Sequence, residues 1–237
     1  CPTASLKTLV STPDRHLIAF GTETTIGTTS TQDDMYIRWS DQESIDATTS
    51  WTPSATNTSG TQRLADGTRI VSAIRGRDAI YIWTDTSLFI MRFVGAPFVF
   101  SFQQVGTNCG LIGKNAAVEV DGSAYWMSEN GFFRYTGKLD SLACLVEDYV
   151  YDDINTVPRQ HIYAGLNNLF GEVTWFYPGS GAASNNRSVT YNYMDSTPER
   201  PVWTTSSLAR STWSDSHIFG KPHGTEYDSS ATSDTTV

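Results

Sequence analysis

The sequence predicts an all-β protein made of successive short antiparallel strands, arranged as blades of the β-propeller type. Three observations lead there. Aromatic and β-branched residues, which pack well on pleated surfaces, are abundant, whereas charged residues are only 17% of the 237. Apolar runs of strand length are punctuated by tight-turn residues along most of the chain. The pattern repeats in about four units of roughly 40 to 50 residues, a propeller period.

The clearest unit reads Arg69 to Ile74, Ala79 to Thr84, Leu88 to Val94 and Phe98 to Val105. Its connections are Arg75-Gly76-Arg77-Asp78, Asp85-Thr86-Ser87 and Gly95-Ala96-Pro97. Ile80 and Ile82 alternate with Tyr81 and Trp83, so both faces of that strand are apolar, as in a sheet covered on both sides. A second unit follows with Ala116 to Val120, Ser123 to Ser128 and Phe132 to Thr136. Asp121-Gly122 and Glu129-Asn130-Gly131 join its strands, and Asp-Gly and Asn-Gly suit turns whose two central residues have positive φ. A third comprises His161 to Ala164, Val173 to Tyr177 and Ser188 to Tyr193, ending near Val202-Trp203. The earliest comprises Leu17 to Phe20, Met35 to Trp39 and a segment closing at Trp51. Tryptophan recurs late in strands, at Trp39, Trp83, Trp126, Trp175, Trp203 and Trp213, where a large ring fills the space between twisted blades.

One interruption is expected. Leu142, Leu145, Val146, Tyr149 and Val150 follow helical spacing, with Glu147, Asp148, Asp152 and Asp153 opposite, and predict an inserted amphipathic helix over 139–155. Residues 225–237 read as a polar tail. The chain starts Cys-Pro-Thr without Met, which suggests an excerpt of a longer polypeptide.

The formal net charge is −9, and the four Lys and twelve Arg are scattered. A protein that grips nucleic acid needs a basic face to neutralise phosphates, so that class is disfavoured. An acidic wall that lets a duplex slide past is compatible with this balance. Cys1, Cys109 and Cys144 form neither a disulfide framework nor a zinc motif, and a reduced compartment is the simpler inference. No apolar run approaches the ~18 residues that span a bilayer.

Catalytic signatures are lacking. There is no G-x-S-x-G elbow, P-loop or strand-borne G-x-G-x-x-G, and His16, His161, His217 and His223 form no H-x-x-x-H pair. The carboxylate clusters are Asp33-Asp34, Glu119 with Asp121, and Asp152-Asp153; adjacent acids on an extended strand point to opposite faces. No catalytic, cofactor or metal residue is therefore assigned. Ser44-Ile45-Asp46-Ala47-Thr48-Thr49-Ser50-Trp51 resembles the Asp-box of sialidase-type propellers, with Thr48 in place of Gly and Ser50 in place of Thr. That motif stabilises a turn, and Arg38, Arg75 and Arg134 form no evident arginine triad. A carbohydrate-binding or sialidase-like glycosidase propeller is nevertheless the alternative reading.

A longer resemblance covers half to two thirds of the chain. It begins at Met35-Tyr36-Ile37-Arg38-Trp39-Ser40-Asp41 and the Trp51-Thr52-Pro53 turn, then takes in 76–85, Gly106-Thr107-Asn108-Cys109-Gly110 and 121–127. It ends with 130–137 and Val146-Glu147-Asp148-Tyr149-Val150. In this order of phrases the chain resembles the packaged-DNA stabilisation, or tail nozzle, proteins of short-tailed phages, whose members are longer. The resemblance implies a non-enzymatic virion protein without a cofactor, assembled in the host cytoplasm into a homo-oligomeric ring below the portal. The implied partners are portal or adaptor proteins and tail fibre or needle proteins. DNA would pass through the ring without sequence-specific binding. Within that reading Gly110, Gly122 and Gly131 are expected to serve turns, and Trp83 and Trp126 to pack between blades.

Overall fold

A computed structural model describes residues 1–12, 14–45, 48–215 and 220–227. The architecture is all-β and falls into two units, residues 1–111 and 112–237.

The first unit holds two four-stranded antiparallel meanders. One orders β1 (Lys7–Ser11), β2 (His16–Phe20), β3 (Tyr36–Trp39) and β4 (Gly60–Arg63) as they follow in the chain. The other orders β5 (Ile70–Arg75), β6 (Ile80–Thr84), β7 (Ser87–Gly95) and β8 (Val99–Thr107) in the same way. The inner faces meet in one core, where Ile18, Phe20, Ile37 and Trp39 of the first sheet pack with Ile80, Ile82, Phe89 and Met91 of the second. The first strands of the two sheets are neighbours. Lys7 Nζ on β1 donates to Ser72 Oγ on β5 (3.0 Å), and the Arg75 guanidinium reaches the Val10 carbonyl (3.4 Å). Every residue of β6 is buried, so its alternating pattern marks a strand apolar on both faces.

The second unit repeats the plan. Its first meander comprises β9 (Ala117–Val120), β10 (Ser123–Ser128), β11 (Gly131–Tyr135) and β12 (Leu139–Leu142). Its second comprises β13 (Tyr163–Asn167), β14 (Glu172–Tyr177), β15 (Arg187–Asn192) and β16 (Trp203–Ser206). A two-stranded ribbon, β17 (Thr212–Ser214) and β18 (His223–Thr225), follows. First strands again lie side by side: a parallel bridge joins Asn115 to Tyr163, and Trp213 Nε1 on β17 donates to Leu166 O on β13 (2.7 Å). Phe132 on β11 joins the sheets by packing on both Trp175 (5.0 Å between ring centroids) and Trp203 (4.8 Å).

Trp83, Trp126 and Trp175 occupy the fourth position of β6, β10 and β14, each the second strand of its sheet, and all three are 0% exposed. Opposite them on the first strands stand small residues, Ser72, Ala117 and Ala164. A bulky ring beside a small neighbour keeps the layer thickness even.

Several expectations need correction. Outside the β5–β8 sheet, strands were hidden or misplaced by the sequence pattern: β1, β4 and β12 are polar or short, and the earliest unit closes at Gly60–Arg63, since Trp51 lies in a 3₁₀ turn. The helix over 139–155 is only α1 (Glu147–Asp153), because Leu139–Leu142 pairs with β11 as an edge strand. Cross-strand bonding there outweighs helical spacing. Leu145 and Tyr149 are exposed, and the helix is anchored instead by buried Val150 and by the Tyr151 hydroxyl, which donates to Ser128 O (2.6 Å) and Gly131 O (3.0 Å).

The glycines divide by mechanism. Asp121 (φ 48°) and Gly122 (φ 86°) form the expected two-residue turn between Val120 and Ser123. Between Ser128 and Gly131 the turn residues are Glu129 and Asn130, and of the Asn-Gly pair only Gly131 (φ 121°) has positive φ. Gly110 serves a close approach and no left-handed turn. A Cβ there would lie 2.1 Å from the Asp85 carbonyl oxygen, where Cys109 N and Leu111 N donate to Thr86 O and Thr84 O. The polar tail lies outside the described residues beyond 227.

Two stability outcomes follow from this packing. Trp83→Ala and Trp126→Ala should each cost about 3–5 kcal/mol in urea unfolding, because a buried ring leaves a cavity. An unchanged midpoint would contradict their burial. Gly110→Ala should also lower the midpoint, since backbone must shift to admit the methyl group; retention of the wild-type midpoint would place Asp85 elsewhere.

Candidate functional site

The densest cluster of buried polar side chains sits where β2 begins. His16 is buried, its Nδ1 lies 3.2 Å from Asp14 Oδ2, and its Nε2 lies 3.0 Å from Thr58 Oγ1. Ser11 Oγ donates to Asp14 Oδ1. Thr58 Oγ1 is also 2.7 Å from Asp41 Oδ1, and Gln42 N donates to Thr58 Oγ1 (3.0 Å). Phe100 meets the imidazole edge-on at 5.3 Å and Phe93 lies at 6.0 Å. Ser11, Asp14 and His16 come from one short stretch, but Asp41 and Thr58 come from the two ends of the connection between β3 and β4.

An acid, a histidine and a hydroxyl in line invite comparison with nucleophilic triads, and the direction of the hydrogen bonds decides the matter. A carboxylate only accepts, so the one Thr58 hydroxyl proton goes to Asp41. Thr58 Oγ1 therefore has no proton left to give to His16 Nε2, while Nδ1 faces the Asp14 carboxylate. Nucleophile activation needs the reverse, a hydroxyl donating to a free imidazole nitrogen. The cluster is a polar clamp between β2 and the 40–58 loops.

A second buried cluster centres on Glu23 and Arg38. Glu23 accepts from Thr3 N (3.1 Å), Gly27 N (2.7 Å) and the Thr3 hydroxyl. Burial would raise its pKa, but these hydrogen bonds outweigh burial and hold the carboxyl below its ordinary value. Arg38 donates to Trp51 O (2.9 Å), Thr24 O (2.8 Å) and Glu23 O (3.3 Å) and lies 5.6 Å from the Tyr36 ring centroid. Its fork is committed to backbone carbonyls and is not presented to a ligand. In the Asp-box-like stretch, Trp51 is buried, its Nε1 donates to Ile45 O (3.2 Å), and the Ser44 and Ser50 hydroxyls meet at 2.8 Å. Asp46 and Ala47 lie outside the described residues.

The other residues singled out by sequence are dispersed. Asp33 accepts from Met35 N (2.9 Å) and Arg63 Nε (2.6 Å), while Asp34 is exposed. Glu119 accepts from Gly122 N within its own hairpin. Asp153 binds Arg187 Nε (3.1 Å) and Ser180 N (3.3 Å), while Asp152 is exposed. Arg75 is exposed at the end of β5, and Arg134 pairs with Asp140 (3.3 Å). His161 Nδ1 lies 2.9 Å from Ala183 O, His223 is exposed on β18, and His217 lies outside the described residues. Burial pushes the Cys109 and Cys144 thiols up to about 11, so at neutral pH both stay protonated and are poor nucleophiles. Among the described residues no group of three or more His, Cys, Asp or Glu could hold a metal ion. No protein-family model and no curated protein matches the chain.

Acid should unfold the protein in a way set by these networks. Asp41 is held low chiefly by the Thr58 backbone and hydroxyl donors; in Glu23, Asp33 and Asp85 hydrogen bonds outweigh the opposing effect of burial. A carboxyl with a lower pKa folded than unfolded stabilises fully above the unfolded value, about pH 4, and loses that contribution as pH falls through the folded value. The thermal midpoint should therefore be flat at mildly acidic pH and fall below about pH 4. Asp41→Asn should lower the midpoint at neutral pH and make the acid limb shallower. Parallel limbs for the two proteins would exclude Asp41 as a contributor.

Proposed function

We propose that the chain is a structural component of a virion tail, a nozzle or hub whose sheets serve as β-propeller blades around a channel for DNA. In this reading the protein forms a ring below the portal and helps retain and release the packaged genome. The observation that carries it is the side-by-side placement of first strands, β1 with β5 and β9 with β13, in successive four-stranded meanders. That is how blades line a central channel. The ordered resemblance from Met35 to Val150 supplies the family context, and the net charge of −9 suits a conduit that does not grip phosphate.

The polar clusters favour a scaffold over a glycan-processing site. Arg38, the guanidinium nearest the Asp-box-like turn in sequence, is spent on carbonyl oxygens, and the His16 cluster runs against nucleophile activation. Cryo-electron microscopy of the tails of particles encoding this chain tests the reading. Several copies encircling an axial channel are expected. Tails that lack the chain, or hydrolysis of chromogenic sialosides by the purified protein, would overturn it.

A further inference from the structure

The β7–β8 hairpin is longer than the sheet that carries it. β6 pairs with β7 only as far as Ile80 with Met91, so the arm beyond Met91 is paired only with itself. Four further residues of β7 carry it about 13 Å past β6 at ~3.3 Å per residue. Within the arm β7 and β8 pair only with each other, Arg92 opposite Ser101, Phe93 opposite Phe100 and Gly95 opposite Val99, with a register shift between Phe93 and Gly95. Its root is held by the packing of Phe93, Phe100 and His16, with 5.7 Å between the two phenyl centroids.

The tip presents apolar side chains to solvent: Phe98 is 77% exposed, Val94 54% and Phe93 49%, with Ala96 and Pro97 exposed between them. From Ser87 to Thr107 there is no acidic residue, and Arg92 is the one charge. The β5–β6 turn lies at the same end of the sheet, because Arg75 pairs with Ile80 and Ile80 with Met91. Arg75, Arg77 and Arg92 are all exposed there and make no ion pair among the described residues, against one acid in that turn, Asp78. At the neighbouring β1–β2 turn, Arg15 is matched by Glu43. A chain of net charge −9 thus carries a cationic rim around an apolar knob.

We propose that this hairpin tip inserts into the surface of an anionic lipid bilayer. A convex apolar knob enters the boundary between headgroups and acyl chains, which lies about 5–10 Å deep and within the reach of the arm. At that shallow depth headgroups and interfacial water can bond the outward-facing backbone groups of the two strands, and the arginines stay at headgroup level against lipid phosphates. This is peripheral insertion, compatible with the finding that no helix among the described residues is long and apolar enough to cross a membrane.

The test is flotation of the full chain with vesicles of phosphatidylcholine containing phosphatidylglycerol, beside vesicles of phosphatidylcholine alone. The wild-type protein should float with the anionic vesicles. Phe98→Asp should weaken this at least about tenfold with an unchanged thermal midpoint. Replacing Arg75, Arg77 and Arg92 by Gln should cost about fivefold for each arginine on anionic vesicles and little on neutral ones. Wild-type protein that stays in the aqueous fraction, or Phe98→Asp that floats equally well, overturns the proposal. So does self-association that Phe98→Asp abolishes while no flotation is seen, which would make the tip a contact between copies.

Discussion

In three of the four four-stranded sheets, the packing of one indole of the second strand beside a small residue of the first strand is the constraint around which the rest is arranged. Trp83, Trp126 and Trp175 each fill the same position of the second strand, opposite Ser72, Ala117 and Ala164. A fully buried ring needs a complete shell of neighbours, so sheets must stack and strands must keep register. In the second unit the shell includes Phe132 and Trp203, and Trp175 Nε1 finds its acceptor in Ala116 O (3.0 Å), just before β9. One residue thereby ties consecutive sheets through both its apolar ring and its polar edge.

Polar groups caught between these layers are satisfied locally and mostly by backbone. Arg38 spends its fork on three carbonyls, Glu23 accepts from the Thr3 and Gly27 N–H groups, and Asp41 gathers the Thr58 and Gln42 N–H groups. Such hydrogen bonds are what make buried charge tolerable. They also withdraw these residues from chemistry: a buried carboxylate or guanidinium that holds loops in place is not turned toward a substrate. The loops between β2, β3 and β4 are long, and these clusters give them a defined course with short 3₁₀ turns, Thr29–Thr31 and Thr48–Trp51, along the way.

The β7–β8 arm departs from this economy. Elsewhere in the first unit most large apolar side chains of the sheets are gathered into the core, with Val10 of β1 an exposed exception, yet Phe93, Val94 and Phe98 stand outward together on a hairpin that outruns its neighbours. An apolar tip ringed by arginines is costly to keep in water and is the part of the unit shaped for a partner.

Sequence alone determined the strands with strong two-residue periodicity or aromatic content, β5 to β8, β10, β11, β14 and β15, to within a residue or two. It also determined the Asp121-Gly122 turn, because positive φ at two consecutive positions is a local demand. The polar edge strands β1, β4 and β12 escaped it, since their pairing is decided by the neighbouring strand and not by their own side chains. For the same reason Leu139–Leu142, helical by spacing, became the fourth strand beside β11. The Ser11-Asp14-His16 stretch was legible as residues, but its meaning was not. Asp41 and Thr58 join it from the two ends of the β3–β4 connection, and only their placement gives the Thr58 hydroxyl proton to Asp41. Local preferences are written within a few residues; hydrogen-bond direction and exposure depend on what tertiary packing brings alongside.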